Sequence, residues 1–493
     1  MADAFIRQGC ADFTPTANSK DVKLMQNEID AIKPEVTSIP LEPSSPILPE
    51  DHRARYHFAN FLGDFSMGVM PVVFTSWQDE CTTWKESCYL GSLLNPMNPI
   101  RVWGPDALQT LKDFTTNSYE KFGVGRAKHA IFCGPDGNIV CDGILLRMAE
   151  DEFLGYCLPY WANCIGMGNY DVQFEFLPNE VVYQLGGPTS LQVVEAACEE
   201  DLHDIKFLQH RPSSICGHEV RILRAGMAGS LAYEVHCTRD HCAEIYRKLV
   251  EVGRPFGLKR LGMAAYNMTH WESGFPNAYL DWMPAFPPEV IERSKAADLD
   301  PANPNDALAM FIRDRLDLRG SVGKDLTAYF RNPYELGWGK AVRFDHDFVG
   351  REALEKIAAG DHRVMKTLVW NVDDVTAVFR DQLTMGGVPS VDIAMPDDTT
   401  FGVTSNLHQD WVLKDGEKVG VSAGRMVSVN YGCMLSLGVL EPSVAEEGSE
   451  VKVLWGAPGE RQWEIRATVA RYPYLDVTRN DKLDVNTIPS FGK

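Results

Sequence analysis

The stretch ILRAGMAGSLAYEVHC, residues 222–237, and the stretch LGMAAYNMTHWESGFP, residues 261–276, decide how this chain is read. The first has the pattern of a hairpin and carries one acid, Glu234, between apolar neighbours. An unpaired buried carboxylate costs several kcal/mol, roughly. Glu234 therefore needs a partner, either an arginine of the protein or a ligand. A carboxylate in an apolar frame suits a cationic or donor-rich planar ligand. The second stretch runs from a helix into a turn and brings Tyr266, His270 and Glu272 together. A tyrosine and a histidine four apart can protonate a poor leaving group, although a core tyrosine with a satisfied hydroxyl has the same pattern.

Composition narrows the class. A chain of 493 residues implies two or three domains. The net charge of −21 argues against nucleic acid and against an anionic membrane surface. Apolar runs fall far short of the ~20 residues a membrane span needs. The N-terminus, MADAFIRQGCADFTPT, lacks a secretory apolar region. Twelve cysteines are scattered without a CxxC pair, which points to reduced thiols and a cytoplasmic location. His236-Cys237 and His241-Cys242 fit a strand and a helix start better than a zinc site, so no metal is expected. Walker A, GxGxxG and GxSxG signatures are missing, which disfavours ATP, dinucleotide and serine-hydrolase chemistry.

Along the chain, residues 1–53 read as an N-terminal extension with one short helix possible at 21–33. A helix is expected over 105–122, then a hairpin about the turn Gly134-Pro135-Asp136-Gly137, with Asp142 on its return strand. DVQFEF, residues 171–176, alternates as a half-buried strand. A helix from Pro188 to about Leu202, strands 219–225 and 231–237, and a helix from Asp240 follow, in the order of a split βαβ, ferredoxin-like unit. Residues 287–330 form a charged, proline-containing insertion, either a lid or a connector. Residues 363–480 are strand-rich, with the Gly and Pro breaks of a small antiparallel barrel.

Several strings, in order, resemble one family. VWGPDAL (102–108), GPDGNIVCDGILL (134–146), VYQLGGP (182–188), NPYELGWGKAVRFDHDFVGREAL (332–354) and VKVLWG (451–456) are similar to segments of the glycine-cleavage T-protein, or aminomethyltransferase, superfamily. The likeness runs from about residue 70 to 475 and is strongest to the tetrahydrofolate-dependent aromatic O-demethylases. It implies an α+β fold of three subdomains. Two form a folate-binding region at 54–286 (54–180 and 181–286); a return to that domain and linker at 331–362 leads to the third, a C-terminal β-barrel at 363–480.

The resemblance also implies roles. Glu234 would grip a pterin ring and Asp142 would orient folate. Gln184 and Asn163 would turn polar groups towards it, and Phe275 would stack on its aminobenzoate. Tyr266 stands where general aminomethyltransferases carry an arginine and aromatic demethylases a tyrosine. It would protonate the departing aryl oxygen, with His270 tuning it or touching substrate. A positioned acid contributes ~10²–10⁴-fold. On the substrate side, Met70, Leu158 and Asn95 replace polar groups of the vanillate-type enzymes, which implies a neutral or larger aromatic.

The expectation is thus a cytoplasmic methyltransferase with tetrahydrofolate as cofactor and a small methoxyaromatic, lignin-derived or similar, as substrate. It would give a phenol and 5-methyltetrahydrofolate, with no nucleic-acid or membrane partner and its oligomeric state open. Two rivals remain: a formaldehyde-releasing lyase acting on a similar aromatic, and a folate-binding protein without chemistry.

Overall fold

The computed structural model describes residues 46–60, 67–92, 99–300, 303–384, 393 and 405–492. It opens on a hairpin, β1 (Arg55–Asn60) and β2 (Met67–Val73), followed by two single-turn helices and β3 (Cys88–Ser92). The possible helix at 21–33 lies outside the described residues.

The first subdomain is an antiparallel sheet of β4 (Ile100–Trp103), β5 (Ala127–Cys133), β6 (Ile139–Ala149), β7 (Glu152–Tyr156) and β8 (Gln173–Phe176), ordered β5-β6-β7-β4-β8. Helices α1 (Ala107–Phe114) and α2 (Tyr160–Met167) cover one face, where Leu111, Trp161 and Cys164 pack on Ile100, Phe132, Leu145 and Phe153. The helix expected over 105–122 is shorter because Thr115 turns extended, its hydroxyl donating to the Leu111 carbonyl at 2.7 Å. DVQFEF is not half-buried. β8 is an edge strand, and all four of its residues are exposed.

The second sheet is ordered β10-β11-β12-β9-β3-β13, with β9 (Glu180–Gly186), β10 (His210–Ile215), β11 (His218–Leu223), β12 (Ala232–Thr238) and β13 (Leu258–Leu261). Helices α3 (Ser190–Cys198) and α4 (Arg239–Gly253) lie on the face that carries Tyr233 and Val235. Strand alternation turns Glu234 and His236 to the opposite face. On that face Val182 and Leu223 meet Leu146 and Tyr156 of the first sheet. The two sheets thus face each other, and each turns one acid to the facing side.

Helix α5 (Met263–Ser273) is buried at every residue. Its first turn enters so closely that a Cβ on Gly262 would lie 2.3 Å from the Val72 carbonyl oxygen. Gly274, at φ 73°, ends it in the left-handed region, which an L side chain rarely adopts. Buried Glu80 fixes the same entry by accepting from the backbone N–H groups of Phe74 and Gly262 at 2.8 Å each.

Residues 287–330 hold α6 (Pro288–Arg293), α7 (Pro304–Arg315) and β14 (Leu316–Arg319). β14 runs parallel to β16 (Ser405–Lys414), so this region adds a strand to the C-terminal sheet. Helix α8 (Arg351–Ala359) sets Leu354 and Ile357 against the Gly137 turn. The barrel is built from β15 (Val364–Trp370), β16, β17 (Glu417–Ser428), β18 (Cys433–Leu440), β19 (Glu450–Trp455) and β20 (Trp463–Ala470), with α9 (Val372–Gln382) after β15. Their order, β16-β17-β18-β15-β20-β19, closes through β16–β19 pairing. Among the described residues, no helix is long and apolar enough to cross a membrane.

Candidate active site

Helix α5 supplies the first part of the site. Tyr266 and His270 lie four residues apart, one turn on the same face, and their rings meet edge-on with centroids 4.7 Å apart. Nδ1 of His270 donates to the Phe275 carbonyl oxygen at 2.8 Å, across the Gly274 cap. That bond leaves Nε2 as a bare acceptor, and it is buried with no partner among the described residues. Burial pulls the His270 pKa from its ordinary 6.5 to about 4, while the bond to Phe275 acts weakly the other way. His270 is therefore neutral at physiological pH and can accept a hydrogen bond at Nε2 but not give one from it. The Tyr266 hydroxyl reaches the Met227 sulfur at 3.8 Å, so the loop between β11 and β12 lies over it. Ser273 pins that loop by donating to the Met227 carbonyl at 2.9 Å.

The second part is a pair of carboxylates, one from each sheet. Glu234 is buried and accepts at Oε2 from His236 Nε2 at 3.0 Å. The β9–β12 register sets buried Gln184 directly opposite it. Asp142 bonds at Oδ2 to Nε2 of His129, 2.7 Å away. Cys157 follows β7 with φ 61°. Burial first, then the charges of Asp142 and Glu234, push its thiol up to about 12, which keeps it protonated at neutral pH. Neither Oε1 of Glu234 nor Oδ1 of Asp142 takes a hydrogen bond among the described residues.

An aromatic wall joins the two parts. Phe275 lies 5.9 Å from His270, 5.6 Å from His129 and 5.5 Å from Trp338, centroid to centroid. Trp338 meets the His129 ring edge-on at 4.7 Å. Tyr279, at φ 63°, has its hydroxyl held well above the ordinary range by burial first and then by the charges of Cys141 and Asp142. Its ring packs edge-on against Phe311 of α7 at 6.0 Å.

The structure thus brings together Tyr266, His270 and Phe275, and sets Gln184 opposite Glu234 and Asp142 on the facing sheet. His129 and Trp338 join them, although the sequence reading gave neither a role. A signal for His129 existed. The GPDG turn puts His129 opposite Ile144, hence on the same face of the hairpin as Asp142. Trp338 lay within the quoted LGWG string.

Other expected residues fall elsewhere. Leu158 does not line this site. It is fully enclosed with Cys141, Leu145 and Trp161 on the helix-covered face of the first sheet, against Gly143. Asp142 points to the opposite face. Asn163 stands on the exposed side of α2, because Trp161 and Cys164 take its buried side. Met70 pairs with His57 in the first hairpin, but its side chain is outside what is described. Asn95 lies outside the described residues. Glu272 turns away from Tyr266 and accepts from Trp84, Ser428 and Asn430, tying α5 to the barrel. Of the two His-Cys pairs, His236 serves Glu234, and His241 stacks on His218 at 3.8 Å.

Comparison with known proteins decides the family. Residues 53–291 match the GCVT N-terminal domain. The chain is 43% identical over 435 residues to the sesamin methylene transferase of Sinomonas sp. (strain No.22), covering 86% of this chain and 94% of that protein. It is 30% identical over 441 residues to the syringate O-demethylase of Sphingobium sp. (strain NBRC 103272 / SYK-6), covering 84% and 92%. The chain belongs to the aminomethyltransferase superfamily, with the aromatic O-demethylases. Its fold agrees with the aminomethyltransferase T of the glycine cleavage system from Bartonella henselae, at TM-score 0.59 and 16% identity over 86% of this chain and 95% of that one. The region where the two sheets face each other beside the Phe275 and Trp338 rings is the candidate active site.

Proposed function

We propose that this protein is a tetrahydrofolate-dependent one-carbon transferase that removes the methyl group of an aromatic ether, giving a phenol and 5-methyltetrahydrofolate. One observation carries the reading: Glu234 and Asp142 lie on the apposed faces of two packed sheets, and His129, the partner of Asp142, shares the Phe275 ring with His270 and so adjoins Tyr266. The donor set fits a reduced folate. Each carboxylate keeps one oxygen that no described residue engages, which suits a pterin ring rich in N–H donors. Gln184 supplies a further polar group beside Glu234, and Phe275 and Trp338 supply flat surface for an aminobenzoate ring.

Bound there, reduced folate supplies the nucleophilic nitrogen that accepts the one-carbon group. The protein's own residues do the rest. Glu234 and Asp142 orient the acceptor, and this alignment is where much of the rate originates. Tyr266 donates its phenolic proton to the aryl oxygen as the C–O bond breaks. A phenol of pKa near ~10 matches a departing phenolate of similar basicity. Neutral His270 flanks that hydroxyl without adding a positive charge.

A second reading has its own support, since the relative at 43% identity is named a methylene transferase. The same acid framework would serve a methylene bridging two aryl oxygens, with 5,10-methylenetetrahydrofolate as product. One experiment separates the readings: incubate the protein with tetrahydrofolate and a panel of methoxy- and methylenedioxyaromatics, and identify the folate product by mass. The 5-methyl form supports the first, the 5,10-methylene form the second, and free formaldehyde without folate neither.

A further inference from the structure

We propose that His129 is a catalytic proton acceptor of this site, held in working orientation by Asp142; the proposal rests on the one-carbon transfer reading above. The geometry is that of an acid–imidazole pair. Nε2 of His129 lies 2.7 Å from Oδ2 of Asp142. A carboxylate oxygen only accepts, so Nε2 carries the ring proton and Nδ1 is left with an open lone pair. Nδ1 has no partner among the described residues, and it is not sealed off: a quarter of the His129 side-chain surface is open, at 25%. The ring cannot swing freely, because the Trp338 edge lies 4.7 Å away at 90° and Phe275 lies 5.6 Å away. Phe275 also flanks His270, which packs on the Tyr266 ring, so the two imidazoles share one aromatic neighbour.

Proton accounting requires such a group. Moving a methyl from an aryl ether to an N–H nitrogen breaks one C–O bond and forms one C–N bond. The aryl oxygen is left one proton short, and the nitrogen carries one too many. Tyr266 delivers the first proton, and His129 takes up the second at Nδ1. The protein exchanges no electrons. His270 cannot take this part, since it is fully buried and burial resists its protonation. Asp142 thereby has a double duty, with Oδ2 steadying the imidazole and Oδ1 remaining for the ligand. The arrangement follows the logic by which an aspartate fixes tautomer and orientation of a catalytic histidine.

The test uses the full-length protein and two variants. His129→Gln keeps an N–H near the Nε2 position but has no basic nitrogen; His129→Ala opens a space for added imidazole. Tetrahydrofolate affinity, read from tryptophan fluorescence, should stay within about threefold of wild type in His129→Gln, while kcat falls at least ~10²-fold. Imidazole should restore a measurable part of kcat in His129→Ala and none in His129→Gln. Two results overturn the proposal: a His129→Gln kcat within about threefold of wild type, or weakened folate binding with kcat intact, which would make His129 a binding residue. If wild type itself forms no one-carbon folate product, the functional reading falls and takes this proposal with it. If wild type is active and His129→Gln is too, only the present proposal is lost.

Discussion

Phe275 holds His270 through its main chain, its carbonyl oxygen accepting from Nδ1 at 2.8 Å, while its ring lies 5.9 Å from the imidazole it holds. One residue thus fixes the tautomer of His270 and carries the aromatic wall on to His129. The bond is possible because Gly274 turns the chain back at the end of α5. It also means that the proton inventory beside Tyr266 is set by local backbone geometry.

His270 should make stability pH-dependent. Its folded pKa is about 4 against an ordinary 6.5 in the unfolded chain. A depressed pKa means the unfolded chain binds the proton first, so this stability is whole above pH 6.5 and is lost as pH falls towards about 4. The span corresponds to ~3 kcal/mol at most. Urea unfolding of wild type and His270→Gln at neutral and acid pH should show the gap between them changing in that sense. A constant gap would contradict the buried, neutral imidazole.

Tetrahydrofolate should raise the melting temperature of the wild type, because a ligand that binds only the folded state stabilises it by mass action. Glu234→Ala should remove most of that rise and still fold. Unchanged folate affinity in this variant would take Glu234 out of the site.

Tyr266→Phe keeps the ring against His270 and deletes only the hydroxyl. Turnover should fall at least ~10²-fold with folate binding nearly intact. Near-normal turnover would end the assignment of Tyr266 as the acid.

Leu158→Arg should destabilise the fold and leave aromatic carboxylates as poor as before. Leu158 has no open face, and a guanidinium placed among Cys141, Leu145 and Trp161 would be unpaired in an apolar core. The cost is several kcal/mol, roughly. A soluble, normally melting variant with a new preference for benzoates would restore Leu158 to the substrate wall.

Glu272→Ala should also lower the melting temperature, by removing the acceptor of three buried or half-buried donors on Trp84, Ser428 and Asn430. Each orphaned donor costs ~1–3 kcal/mol. Since Glu272 joins α5 to the barrel, folate should partly rescue the loss, which thermal shift with and without ligand would measure.

Much of the site was legible in the sequence where the deciding geometry is local. Helical spacing put Tyr266 beside His270. Strand alternation turned Glu234 away from the Tyr233 and Val235 core face. The GPDG turn fixed a hairpin whose return strand carries Asp142. Prediction was poorer where a residue's meaning depends on what covers it. DVQFEF alternates, yet β8 has a partner on one edge only and is exposed throughout. Glu272 looked like a third member of the Tyr266 cluster, but its helical face meets the barrel, which comes from residues far along the chain.

By itself the sequence determined the family likeness, much of the strand and helix order, and which side chains are candidates for chemistry, because motif strings are local and periods of 2 and 3.6 residues are properties of the backbone. Tertiary structure alone decided which face of the first sheet the helices cover. That choice sent Leu158 into a core and Asp142 to the opposite face, where His129, paired with Ile144 in the same hairpin, bonds to it diagonally. Such outcomes depend on burying apolar surface between segments distant in sequence, and no local pattern encodes which of two faces will be buried.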